Sequence, residues 1–154
     1  MGVRVLAVDD DPFILKVLQR YLAPEGMEVV GVASGEEALQ RAAEGDIDLV
    51  ILDLHLPRMD GFEVCRRLKG QEATHGIPVI MLTAAYVDPV HEQRGLEAGA
   101  DAYLAKPFLR RALLYHVEAV LGGRRREAAE AGAAAGQGPR PEEAGLQPQD
   151  GGGT

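Results

Sequence analysis

Short runs of β-branched and aliphatic residues alternate along the chain with stretches whose apolar positions recur at helical spacing. The runs Arg4–Val8, Glu28–Val32, Leu49–Leu52, Val79–Leu82 and Ala102–Ala105 predict five strands. Their near-continuous apolar character suits parallel strands covered on both faces. Between the first two, Ile14, Val17, Leu18 and Tyr21 form an i, i+3, i+4, i+7 stripe, with Asp11 as N-cap and Pro12 in the first helical position. Ser34-Gly35-Glu36-Glu37 is a capping-box pattern that opens a second helix around Ala38, Leu39 and Ala42. Asp60-Gly61-Phe62-Glu63 opens a third, which Gly70 closes, and Asp88-Pro89 a fourth, with Gly95 inside it. A fifth, about Leu109 to Leu121, carries Leu113, Val117, Val120 and Leu121 on one face.

Five β–α units predict an α/β fold with a doubly wound, five-stranded parallel sheet. The composition changes at Gly122-Gly123. Residues 122–154 contain nine Gly, seven Ala and three Pro, and Leu146 is their only large apolar residue. Such a segment cannot bury enough surface to offset its conformational entropy, so a disordered tail is expected over 122–154 and a folded domain over 1–121. Within that tail, Glu127 to Ala135 has the composition of a frayed helix, and Arg124-Arg125-Arg126 reads as a helix-end charge cluster or a docking patch.

Charge and cysteine content narrow the function classes. The chain has 154 residues and a formal net charge of −8, a poor balance for binding nucleic acid. The domain carries −7 of this, from 12 basic and 19 acidic residues. One cysteine, Cys65, excludes an internal disulfide framework and a Cys-rich metal site, and at a helical position beside Val64 and Leu68 it reads as a small buried hydrophobe. His75, His91 and His116 are scattered without ligand spacing. No apolar run approaches a bilayer span and the N-terminus has no signal-peptide pattern, so a cytoplasmic protein off the membrane is expected.

Ligands of doubly wound sheets bind outside the carboxyl ends of the strands. The expected strand ends are Val8-Asp9-Asp10, Leu52-Asp53, Leu82-Thr83 and Ala105-Lys106. In a parallel sheet they bring three carboxylates, a hydroxyl and an ammonium to one rim. Converging carboxylates repel unless a cation intervenes, and Mg²⁺ uses carboxylates, waters and phosphate oxygens. A central carboxylate can also attack phosphorus, the product oxygens being neutralised by a metal, Thr83 and Lys106. Taken singly these residues are ordinary caps, turn residues and solvated lysines. Their conjunction at four strand ends is chemically complete for phosphoryl acceptance.

These residues resemble the receiver domain of bacterial two-component response regulators, of the chemotaxis-regulator type, over residues 3 to about 121. The motifs are Val8-Asp9-Asp10, Leu52 through Gly61, Val79 through Ala84 and Gly99 through Phe108, with separations of 44, 30 and 23 residues joining Asp9, Asp53, Thr83 and Lys106. The resemblance implies a flavodoxin-like (βα)5 fold with strand order 2-1-3-4-5. It implies that Asp53 is the phosphoacceptor. Asp10 would bind Mg²⁺ directly, Asp9 mainly through water, and the backbone carbonyl of His55 would join Asp53 as a ligand. Lys106 would bind a phosphoryl oxygen, and Thr83 and Tyr103 would act as the switch pair behind a partner face on helix four, strand five and helix five. A cis Lys106-Pro107 bond is implied too, and His55 and Ala85 occupy positions that tune phosphoryl-group lifetime.

The function implied is a single-domain response regulator, a phosphoprotein that catalyses only its own phosphorylation and dephosphorylation. Its partners would be a sensor histidine kinase or histidine phosphotransfer protein and a downstream effector protein, with no nucleic acid and no membrane. It would be a monomer or a phosphorylation-dependent dimer. One alternative is the receiver of a regulator whose effector domain is absent. Another is an Mg²⁺-dependent phosphohydrolase, but those enzymes place an Asp-x-Asp nucleophile and acid after strand one, whereas here Asp53 stands alone with His55 after strand three.

Overall fold

The computed structural model describes residues 2–84 and 89–132. The strands are β1 (Arg4–Val8), β2 (Glu28–Val32), β3 (Leu49–Asp53), β4 (Val79–Thr83) and β5 (Ala102–Ala105). The helices are α1 (Pro12–Leu22), α2 (Gly35–Ala42), α3 (Gly61–Lys69), α4 (Pro89–Ala98) and α5 (Arg110–Gly132), with a 3-10 turn at Ala23–Glu25. All strand pairs are parallel and the sheet order is β2-β1-β3-β4-β5. The fold is the expected doubly wound, flavodoxin-like sheet.

Local chemistry starts three of the helices where the residues predict. Asp11 Oδ1 accepts from the Phe13 N–H at 2.9 Å, and Asp60 Oδ1 from the Glu63 N–H at 2.9 Å. Ser34 Oγ accepts from the Glu37 N–H at 3.2 Å, while Glu37 Oε1 accepts from the Ala33 N–H at 3.0 Å. The capping box therefore closes one residue upstream of its usual reciprocal donor. Asp88, expected to start α4, lies outside the described residues.

Two apolar layers hold the sheet. Leu6, Val8, Val50, Leu52, Val79 and Met81 face α2 and α3, where Ala38, Phe62, Val64, Cys65 and Leu68 are buried. Val5, Ala7, Leu49, Ile51, Ile80 and Leu82 face α1 and α5, packing on Leu18, Leu22, Leu113, Val117 and Leu121. Alternate residues of β1, β3 and β4 thus bury into opposite layers, each large side chain contributing about 1.5–3 kcal/mol. Two buried faces make those strands rigid supports for whatever their ends carry.

Two boundaries differ from the sequence expectation. β3 and β4 extend one residue further, to Asp53 and Thr83, because Asp53 stays in register with Leu82 and Thr83 with Ala105. Both polar side chains are therefore held by strand geometry rather than by a loop. α5 runs to Gly132 instead of ending at Leu121, so the first part of the segment expected to be disordered is helical. Ala-rich and Glu-rich sequence carries the helix across Gly122-Gly123. The chain divides into the units Met1–Leu121 and Gly122–Thr154.

Candidate functional site

The carboxyl ends of β1, β3, β4 and β5 build one rim. Asp9 follows β1, and its N–H still pairs with the Val32 carbonyl at 3.1 Å, which keeps its side chain pointing from the sheet edge. Asp9 is 1% exposed and Asp53 3%, whereas Asp10 is exposed. Asp9 Oδ1 accepts from the Asp11 N–H at 2.9 Å, and Asp53 Oδ2 from the His55 N–H at 3.1 Å. Each buried carboxylate therefore has one oxygen fixed by the loop that follows it.

Lys106 supplies the opposite charge. Its N–H donates to the Thr83 carbonyl at 2.8 Å, and the next peptide bond, Lys106-Pro107, is cis. Its Nζ lies 2.7 Å from Asp53 Oδ1 and 3.4 Å from Asp9 Oδ2. Burial opposes its positive charge, but the hydrogen bond and charge of Asp53, with those of Asp9, outweigh that and raise its pKa. Asp9 is also raised, chiefly by burial and further by the Asp53 charge, against the Asp11 N–H and Lys106, which favour the anion.

One oxygen each of Asp9, Asp10 and Asp53 falls within 4.8 Å of the others. Three carboxylates against one ammonium leave a deficit of positive charge, and every donor is a hard oxygen. The set fits a small divalent cation such as Mg²⁺. Thr83, 3% exposed, ends β4 beside this group. Tyr103 is half-buried on β5, paired with Met81, and packs against the α2 and α3 layer. The His55 side chain is exposed, and Ala85 lies outside the described residues.

Two supports escaped the sequence reading. A Cβ on Gly61 would lie 2.5 Å from the Asp53 carbonyl oxygen and 2.9 Å from Leu54 Cα, so only glycine lets α3 start against the end of β3. The Gly61 N–H also donates to the Leu54 carbonyl at 2.8 Å. Asp60-Gly61 carries this demand, but it reads locally as a cap alone. The second is Asp101, whose Oδ2 accepts from Lys69 Nζ at 2.9 Å and from the Val79 N–H at 2.8 Å. It ties the starts of β4 and β5, the strands that carry Thr83 and Lys106 at their other ends.

His116 and Cys65 take structural places. Half-buried His116 packs edge-on against Tyr115, with 5.4 Å between ring centroids, and burial lowers its pKa. Buried Cys65 donates its thiol to the Ala98 carbonyl at 3.3 Å, and burial pushes its pKa up to about 12.

A parallel sheet whose strand ends gather carboxylates around one lysine defines an α/β domain with an acidic site on its carboxyl rim. The chain belongs to the response regulator receiver domain family, whose sequence profile matches residues 5–118. It is 43% identical over 130 residues to the DNA-binding response regulator MtrA of Mycolicibacterium smegmatis, covering 84% of this chain and 55% of the relative. The chain spans about half the length of the curated relatives it matches. The chemotaxis response regulator CheY4 of Vibrio cholerae has a similar structure, with a TM-score of 0.73, 34% identity and coverage of 78% of this chain and 99% of that one. So does the receiver domain of the sensor histidine kinase PA1611 of Pseudomonas aeruginosa, solved with a magnesium ion coordinated in the active-site cleft. That comparison has a TM-score of 0.72, 33% identity and coverage of 79% and 99%. The chain is thus a receiver domain of two-component response regulators, and no helix among the described residues is long and apolar enough to cross a membrane.

Proposed function

We propose that the unit 1–121 is a phosphorylation switch in which Asp53 accepts a phosphoryl group from a histidine kinase or histidine phosphotransfer protein. A carboxylate oxygen of Asp53 attacks phosphorus, the phosphorus–nitrogen bond of the donor breaks, and the leaving imidazole takes up a proton. The observation that carries this reading is the 2.7 Å contact between Lys106 Nζ and Asp53 Oδ1 within a three-carboxylate cluster. Lys106 is placed to follow a phosphoryl oxygen that replaces the carboxylate oxygen it now holds. Thr83, buried at the end of the adjacent strand, supplies a hydroxyl that moves toward the new group, and Tyr103 follows it.

Asp9, Asp10, Asp53 and the backbone carbonyl of His55 are the residues that would hold Mg²⁺. The ion, when bound, neutralises the carboxylates and the transferring oxygens. The phosphoryl group adds a charge of about −1.5 to −2 at a rim already rich in anions. That change would bias a two-state element and alter the face of α4, β5 and α5 offered to an effector protein. The domain catalyses only its own phosphorylation and dephosphorylation, in the cytoplasm. Segment 122–154 is proposed to stand outside this unit.

Incubation with Mg²⁺ and acetyl phosphate, or with beryllofluoride, tests the reading by intact mass spectrometry and NMR. Wild type forms one adduct, and Asp53→Ala forms none. An equal adduct in the variant overturns the assignment. The match to a DNA-binding response regulator and a transcriptional regulatory protein, at about half their length, favours a second reading, the receiver module of a regulator whose effector domain is absent from this sequence. Salt-sensitive DNA binding by this chain would overturn the view that the unit itself engages only proteins.

A further inference from the structure

A cleft of about 380 Å³ opens between the start of α2, the loop from β3 to α3, α3 itself and α4. Arg58, Arg66, Arg67 and Arg94 line it, against the carboxylates of Glu36, Asp60 and Glu63. Among the described residues it therefore carries one positive charge in excess, within a unit whose 12 basic and 19 acidic residues sum to −7.

The arginines are unevenly matched to those carboxylates. Glu63 takes both Arg66 and Arg67. Arg58 reaches Glu36 only at 3.3 and 3.4 Å, and does so from a φ of 66°. That left-handed conformation is unfavourable for a residue with a side chain. The Arg94 guanidinium stacks 4.2 Å from the centroid of the Phe62 ring and stays 3.9 Å from the Asp60 carboxylate. At that separation it makes an ion pair but no hydrogen bond. Among the described residues, Arg58 and Arg94 thus bring forked N–H donors with spare capacity to one cleft.

Planar guanidiniums with spare donors match the oxygens of phosphate bidentately. We propose that this cleft binds a small diphosphate-bearing anion, of the class of inorganic pyrophosphate or the phosphate chain of a nucleotide, gripped by Arg58 and Arg94. The volume lies within the range of about 300–1,000 Å³ common to small-ligand sites. Among the described residues Met59 is the one apolar residue in the lining, so the walls select charge rather than apolar bulk. A large acidic partner would meet the repulsion of the whole −7 surface. A small anion inside the cleft meets chiefly its lining, where four arginines stand against three carboxylates among the described residues, because screening cuts interactions beyond about 8–10 Å. None of Asp9, Asp10, Asp53 and Lys106 lines this cleft, and the proposal does not depend on the phosphoacceptor reading.

Titration of the full chain with sodium pyrophosphate, in EDTA and low salt, tests the proposal by calorimetry and by amide NMR. It is run on wild type and on Asp53→Asn, so that failure of the phosphoacceptor reading leaves it interpretable. The expected result is saturable binding centred on residues 58–67 and Arg94. Arg58→Gln or Arg94→Gln weakens it about tenfold or more, the effect of losing a charged hydrogen-bonding partner. Both side chains are more than half exposed, at 67% and 52%, and circular dichroism checks that each variant folds. Arg110→Gln, whose side chain pairs with Glu25 away from the cleft, binds as wild type. ADP separates the two sources: equal affinity identifies the diphosphate alone as the ligand, and tighter binding a nucleotide. Non-saturating shifts across all basic residues, undiminished binding in Arg94→Gln, or preference for a glutamate-rich peptide would each overturn the proposal.

Discussion

The ammonium of Lys106 sits 2.7 Å from Asp53 Oδ1 but 3.4 Å from Asp9 Oδ2, so one cation serves two buried carboxylates unequally. Asp53 has the closer partner and Asp9 keeps the residual cost of burial, which is why the Asp9 pKa is raised. The asymmetry matches the division of roles proposed for them. Asp53 is held ready to react, and Asp9 is left wanting a further positive charge.

Removal of the lysine tests the first role. Lys106→Ala should slow adduct formation from acetyl phosphate about a hundredfold, the scale of losing one preorganised charge at a transition state. A mass-spectrometric time course reads the rate. An unchanged rate would leave Lys106 with only a structural part.

Added cation tests the second. Mg²⁺ at a hundred times its dissociation constant should stabilise the metal-free protein by about 2.7 kcal/mol. Asp10→Asn, changed at an exposed position, should fold normally and lose that gain in a thermal melt. In EDTA the sign for Asp9 runs the other way. A raised folded pKa means that the native state holds the proton more tightly than the unfolded chain, so metal-free stability falls as pH rises through that value. Asp9→Asn should remove this slope, and a slope that persists would assign it elsewhere.

Gly61→Ala places a methyl group against backbone at 2.5 and 2.9 Å, where no side chain can give way. We expect a loss of about 1–3 kcal/mol in urea unfolding and a displaced Asp53. A neutral result would mean that α3 starts with more freedom than this contact allows.

Acid should loosen the opposite edge of the sheet. Hydrogen bonds from Arg41, and then from Arg4, hold Asp46 at about 2 against an ordinary 3.8. A lowered folded pKa contributes stability that is complete above the unfolded value and fades as pH falls from about 4 to about 2. Asp46→Asn should melt earlier than wild type at neutral pH and coincide with it near pH 2, the difference shrinking in high salt. Equal melting points at neutral pH would show the pair to be energetically idle.

The residues that announce themselves in the sequence do so through short-range rules. Asp11, Ser34 and Asp60 start helices because their side chains satisfy amides within three residues, and the apolar runs form strands because both faces are covered. The rim of Asp9, Asp53, Thr83 and Lys106 is equally legible, since parallel strands carry their last residues to one edge. The arginine cleft is not, because Arg58, Arg66, Arg67 and Arg94 come from three separate elements whose spacing in the chain says nothing of their approach. Nor is the length of α5, where a glycine pair and weak apolar periodicity hide a helix that continues to Gly132.

Local order along the chain therefore settles the alternation of elements, the caps and the set of groups gathered at the strand ends. Packing alone decides how those groups differ: Asp9 buried and Asp10 exposed, Lys106 nearer Asp53 than Asp9, Gly61 pressed against the end of β3. The first kind of information is carried by covalent spacing and hydrogen bonds a few residues long. The second depends on desolvation and on contacts between residues far apart in sequence, which exist only once both faces of the sheet are covered. The acidity of the chain thus acquires a site only when the fold closes.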